Sequence, residues 1–151
     1  MTTSTINIAP LREATTEIAT CLEGLMSHLM PGERPEMDVE RLRAIIDNPH
    51  SVLFVAWRGE EIVGALTALH YTAPVSDKVW IEDVVVAPSA RGFGIGRGLV
   101  KAALEWGGAH FPTAKFYLTS NPTRTVARAL YTSMGFEEYN TGVFRLMKTI
   151  Q

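Results

Sequence analysis

Cysteine is nearly missing. Cys21 stands alone among 151 residues, which excludes an intrachain disulfide and a cysteine-rich zinc site and fits a reducing compartment. Positive charge has no excess either. Lys and Arg number 14 against 16 Asp and Glu, a net charge of -2, so the strongly basic balance of a nucleic-acid binder is not there. Long apolar runs are also lacking. The longest stretch without a charged side chain, Ile62 to Ser76, is too short and too polar to span a membrane, and it contains Pro74. Residues Met1 to Thr5 show neither a basic segment nor an apolar one. No secretory signal is therefore expected, and a cytoplasmic location is. Repeats, low-complexity tracts and Gly/Ser linkers are missing too.

What is present is ordinary globular chemistry. Hydrophobic residues make up 46% and charged residues 20%, a balance that excludes disorder and predicts one domain over residues 1–151. Ile6 to Ala9 forms a short candidate strand stopped by Pro10. Leu11, Thr15, Ile18, Leu22 and Leu25 recur at helical spacing, predicting a helix over 11–25 with Cys21 as a small buried hydrophobe on it. Val39, Leu42 and Ile45/Ile46 predict a second helix that ends before Pro49.

Two β-rich runs, 51–57 and 62–71, flank Arg58-Gly59-Glu60-Glu61 and read as a hairpin. Residues 79–86 form another strand, closed by Pro88. Its period is irregular, as in a strand buried on both faces or one broken by a bulge. Ile95, Leu99, Ala102, Ala103 and Trp106 then form a helical stripe; Lys115 to Thr119 is a strand; Val126, Ala127, Leu130, Tyr131 and Met134 form a last helix stopped by Gly135. Residues 136–139 and 143–148 are expected as two closing strands around Asn140-Thr141-Gly142. The order β-α-α-β-β-β-α-β-α-β-β predicts an α/β fold: a mixed sheet with helices on both faces. Trp57, Trp80 and Trp106 are expected in the core.

The most informative stretch is Arg91-Gly92-Phe93-Gly94-Ile95-Gly96-Arg97, between a strand and a helix. A helix N-terminus offers unpaired N–H groups and the positive end of the dipole. Glycines let an anion approach the backbone closely, and Arg91 and Arg97 add charge, so the expectation is a phosphate or pyrophosphate site. The spacing fails both the Walker A and the G-x-G-x-x-G patterns, because Arg97 and Leu99 stand where each needs its last glycine. On spacing alone, a glycine turn without a ligand stays open. The four histidines, His28, His50, His70 and His110, show no metal-ligand spacing, and no metal is expected.

Two blocks carry a family resemblance. Residues 84–96, VVVAPSARGFGIG, resemble the central strand and R-x-x-G-x-G loop of the GNAT superfamily of acyl-CoA-dependent N-acetyltransferases, with Arg91, Gly94 and Gly96 in the pattern. Residues 127–136, ARALYTSMGF, are similar to the family's A-x-x-x-Y-x-x-x-G-F segment, in the same order and separation. The resemblance implies a splayed mixed sheet of about seven strands flanked by about four helices. It implies acetyl-CoA as co-substrate, its pantetheine arm paired with Val84, Val85 and Val86. The pyrophosphate would lie on the N–H groups of Gly92 to Arg97, including Phe93 and Ile95. The thioester would lie between that strand and the one ending at Thr119. Where many relatives have an asparagine against the cofactor arm, this chain has Arg124, and Asn121 is the alternative polar contact.

Direct acetylation of an amine needs a base for the amine proton, a donor for the developing oxyanion and an acid for the leaving sulfur. By resemblance, Tyr131 is the acid and Glu82 the base acting through water. A carboxyl beside a half-buried sheet is expected to titrate high, which suits that task. Asp83 points to the opposite face if the strand is regular, and is a candidate to hold the acceptor's ammonium. The acceptor is expected to be a primary amine on a small molecule, with neither nucleic acid nor membrane as partner and with a homodimer left open. Acetylation of a protein N-terminus or lysine is the alternative enzyme reading. A non-catalytic acyl-CoA-binding module is the alternative from another class.

Overall fold

The computed structural model describes residues 5–33 and 35–148. The chain forms two compact units, Met1–Thr119 and Ser120–Gln151. In the first, five strands make one sheet in the order β1 (Ile6–Pro10), β2 (Ser51–Arg58), β3 (Glu61–Thr72), β4 (Asp77–Val86) and β5 (Lys115–Leu118). The first four are antiparallel neighbours, and β5 joins β4 in parallel. A parallel neighbour needs a crossover, and the helix α3 (Ile95–His110) supplies it.

Helices cover both faces. On one, α1 (Thr16–Met26) and α2 (Val39–Ile46) bury Ala19, Leu22, Leu25 and Leu42 with Leu53, Val55, Ile62, Ala65 and Val85 of the sheet. On the other, α3 lies so close that a Cβ on Gly64 would meet Ile95 Cγ2 at 3.0 Å and Leu99 Cδ1 at 3.2 Å, and a Cβ on Gly107 would meet Phe116 at 2.5 Å. Coverage on both faces explains why β3 is buried continuously from Ile62 to Leu66 instead of alternating. The helix predicted over 11–25 begins later, because Thr15 is its N-cap and accepts from the Ile18 N–H at 3.2 Å. Cys21 is exposed, not buried as expected; it lies off the stripe of Ala19, Leu22 and Leu25 that meets the sheet. The three tryptophans are half-buried.

At the β3/β4 turn end of the sheet, His70 is buried and satisfied at both ring nitrogens. Its Nε2 contacts Asp77 Oδ1, and its Nδ1 lies 2.9 Å from His50 Nδ1. The ring stacks on Phe111 at 3.6 Å between centroids. Asp77 also accepts from Thr72 at 3.2 Å and from Thr113 at 3.0 Å. Burial pushes the Asp77 carboxyl up, but the hydrogen bonds from His70, Thr113 and Thr72 outweigh it and hold the group below its ordinary value.

The second unit is built on α4 (Thr125–Ser133), whose end is turned by Gly135 at φ 98°. Arg128 ties this helix to both flanks, donating to the Ser120 carbonyl at 3.2 Å and pairing with Glu138 at 3.2 Å. The segments 136–139 and 143–148, expected as closing strands, are not strands. Alternating apolar residues confer strand propensity, but a strand forms only against another backbone, and these segments pair with none among the described residues. The sheet therefore has five described strands where about seven were expected; the four α-helices agree with the expectation.

Candidate active site

Strand β4 departs from regularity where its two acids lie. Thr67 pairs with Glu82, but Ala65 pairs with Val85, so Leu66 faces both Asp83 and Val84. This is a β-bulge. Asp83 adopts φ 52°, the single positive value among described residues other than glycine, a conformation that costs an L-residue on the order of 1–2 kcal/mol. The bulge breaks the alternation expected of a regular strand, and Glu82 and Asp83 are both exposed, while Ile81 and Val85 on either side are buried. Partial burial, and then the neighbouring Asp83 carboxylate, push the Glu82 carboxyl above its ordinary value.

The same strand parts from β5. Their ladder runs from Lys78/Lys115 to Ile81/Leu118 and stops, whereas β4 continues to Val86. Val84, Val85 and Val86 therefore have no strand partner on the β5 side, although β3 holds their other edge. An open length of backbone between splayed strands can accept an extended ligand as an added strand.

The glycine loop follows at once. The Ala87 N–H bonds the Val63 carbonyl at 2.8 Å, a 3-10 turn spans Pro88–Ala90, and Arg91 Nε donates to the Val86 carbonyl at 3.3 Å. Gly92 and Gly94 take φ of 87° and 76°, values that side chains resist. Gly94 is the N-cap of α3 and offers no capping side chain. Among the described residues, the N–H groups from Gly92 to Gly96 donate to no backbone carbonyl. They stand with Arg91 and Arg97, both exposed, at the positive end of a 16-residue helix. Phe93 is exposed at the tip, whereas Ile95 is buried and roots the loop in the core.

In the second unit, Tyr131 has a buried ring that meets Phe136 edge-on at 6.1 Å. Its hydroxyl has no hydrogen-bond partner among the described residues. Burial raises its pKa, and the Arg124 cation partly offsets that, so the phenol stays protonated at neutral pH and can donate. Arg124 precedes α4 as its N-cap. The Asn121 side-chain oxygen is engaged locally, accepting from the Thr123 N–H at 2.9 Å and hydroxyl at 2.8 Å. Sequence reasoning passed over Ser120, whose Oγ is buried with no hydrogen-bond partner among the described residues. It also passed over the buried His70 cluster. A serine and an alternating histidine carry no local signal of burial.

A mixed sheet whose bulged strand parts from its neighbour and runs into a glycine loop at the head of a helix is the arrangement that the family resemblance implied. The chain matches the acetyltransferase (GNAT) family over residues 18–136, which spans parts of both units, and it belongs to that family. It is 31% identical over 135 residues to the uncharacterized N-acetyltransferase YhfO of Bacillus subtilis, covering 85% of this chain and 89% of that one. Among solved structures, it resembles a transcriptional regulator from Bacillus halodurans, with 28% identity, a TM-score of 0.78 and coverage of 95% and 100%. It shares its fold with the aminoglycoside N-acetyltransferase AAC(6')-Iy, with 23% identity, a TM-score of 0.76 and coverage of 97% of each chain.

Proposed function

We propose that this acetyltransferase moves an acetyl group from acetyl-CoA to a primary amine on a small molecule by direct attack. The observation that carries the reading is the edge of β4 at Val84–Val86 left open by β5, leading into the N–H groups of 92–96, which donate to no backbone carbonyl among the described residues. In this reading the strand edge takes the pantetheine amides. The loop, with Arg91 and Arg97, takes the pyrophosphate. Arg124 or Asn121 supplies a polar contact to the cofactor arm.

The chemistry forms one C–N bond and breaks one C–S bond. Glu82, its pKa raised, accepts the amine proton through water, and Tyr131 gives a proton to the departing sulfur. Asp83, turned out by the bulge, holds the acceptor's ammonium before it is deprotonated. Cys21 has no part, and no covalent enzyme intermediate is needed. A small-molecule acceptor is supported by neighbours of the same fold: AAC(6')-Iy was solved with CoA and with a CoA–acetylneamine bisubstrate analogue, and a metagenomic aminoglycoside acetyltransferase with sisomicin.

The test is calorimetric titration with acetyl-CoA against free adenosine nucleotides, followed by an amine panel scored by thiol release. Selective binding with turnover on small amines is the expected result. Binding without turnover on small amines or on peptides would point to a non-catalytic acyl-CoA module. Turnover confined to peptides would point to a protein N-terminus or lysine as acceptor.

A further inference from the structure

The two faces of β4 carry different chemistry. A Cβ on Gly107 of α3 would meet Phe116 at 2.5 Å and Val79 at 3.4 Å, so Val79 and Phe116 face α3. Alternation turns Lys78, Trp80 and Glu82 of β4, and Lys115 and Tyr117 of β5, to the other face. That is the face of α1 and α2, but the apolar cluster beneath those helices ends on β3 at Ala65 and on β4 at Val85. Farther along β3 the same face carries Leu69 and Tyr71, which are 38% and 40% exposed.

Register sorts this floor into three rows. The first holds the Glu82 carboxyl, beside Thr67. In the second, Leu69 pairs with Trp80, and Tyr117 supports the indole at 5.3 Å between ring centroids. In the third, Tyr71 pairs with Lys78, and Lys78 with Lys115. The Trp80 indole N–H donates to the Tyr71 hydroxyl at 3.1 Å, which fixes the indole as a flat plate, and Lys78 Nζ lies 4.9 Å over the Tyr117 ring. Among the described residues, neither lysine pairs with a carboxylate. Asp77, next to Lys78 in the chain, is taken by His70 and Thr113. Successive rows along a strand lie about 6.7 Å apart, so the cationic row is about 13 Å from Glu82 along the backbone.

We infer that this floor selects the acceptor, and that the acceptor is an elongated primary amine with a flat apolar body and an anionic far end. The inference rests on the reading above that brings the reacting amine to Glu82. The amine then lies on the first row, the body on Trp80 and Leu69, and the anion on Lys78 and Lys115. Opposite charges at the two ends of an apolar floor fix the direction in which such a molecule lies. An aminoglycoside such as sisomicin brings positive charge against the two lysines and is a poor acceptor here.

The test compares three amines on the full chain: a para-linked aminomethylbiphenyl carboxylic acid, the same amine without its carboxylate, and sisomicin. Each is titrated calorimetrically and then assayed with acetyl-CoA. The acid should bind at least about tenfold more tightly than the neutral biphenyl, with sisomicin weakest and with KM in the same order. The double variant Lys78→Ala, Lys115→Ala should lose the preference for the acid and keep its affinity for the neutral amine, and Lys78→Arg, Lys115→Arg should retain the preference. Trp80→Leu should weaken both biphenyls alike. Equal affinity for the two biphenyls, tightest binding of sisomicin, or a preference that survives the double alanine variant would overturn the inference, and with turnover intact the acetyltransferase reading would still stand. Selective binding of the acid without acetyl transfer to any amine would uphold the floor and overturn the proposed reaction instead.

Discussion

Replacing Gly94 by valine separates the cost of backbone strain from the cost of losing an anion site. A Cβ at this position meets nothing within 4 Å, so the variant does not clash with the folded chain. The penalty for folding comes from φ, which is 76°. A left-handed L-residue costs about 1–2 kcal/mol, and β-branching adds to it. For a chain of this size that corresponds to a melting temperature lower by roughly 2–8 °C. The penalty for binding is larger and has another origin. The new side chain stands over N–H groups that would otherwise donate to a phosphate. Two charge-assisted hydrogen bonds at about 1.5–3 kcal/mol each amount to roughly two to four orders of magnitude in Kd. Titration calorimetry with acetyl-CoA, run beside a thermal melt, reads both. The expected result is a small fall in Tm and a large fall in affinity. Wild-type affinity in a folded Gly94→Val protein would refute the phosphate role of the loop.

Three further perturbations test the remaining assignments. Glu82→Gln should lower kcat at neutral pH by about 10²–10⁴ and abolish the acid limb of the wild-type pH–rate profile, with acetyl-CoA affinity retained. Because the folded pKa of Glu82 is raised, the folded chain holds its proton more tightly than the unfolded one, and ionisation at neutral pH opposes folding. The same variant should therefore melt slightly higher at pH 7 than the wild type, an advantage that disappears in acid; a lower Tm would contradict the burial argument. Tyr131→Phe keeps the ring packed on Phe136 and deletes a hydroxyl that has no partner among the described residues, so kcat should fall by about 10²-fold or more while Tm stays put; unchanged kcat would remove Tyr131 from the chemistry. Asp77 is held below its ordinary value of 3.8, so its contribution to stability is present above that pH and is lost as pH falls through the lower folded pKa. Asp77→Asn should flatten the dependence of Tm on pH below about pH 4, and an unaltered acid slope would show that the His70 contact contributes nothing.

Local information carried much of this fold. The helical stripe of Leu99, Ala103 and Trp106, the stops at Pro49 and Gly135, and the hairpin around Gly59 each depend on residues a few positions apart. The glycine loop was legible for the same reason, since left-handed φ at Gly92 and Gly94 is a property of those residues themselves. The start of α1 was not, because apolar spacing alone does not say where a cap lies. Thr15 set it by bonding the Ile18 N–H.

Sequence by itself therefore determined the order of elements as far as α4, the loop at the head of α3 and the presence of two acids on the strand before it. Tertiary structure alone decided that Leu66 faces both Asp83 and Val84, that β4 outruns β5 beyond Ile81, that Cys21 is exposed and that His70 is buried against Asp77 and Phe111. It also decided that the apolar segment after Gly142 is not a strand of its own chain's described sheet. The physical reason is shared by all five. Periodicity states which face of an element prefers to leave water, whereas register, exposure and strand pairing are set by the partner across the contact, which lies far away in the chain.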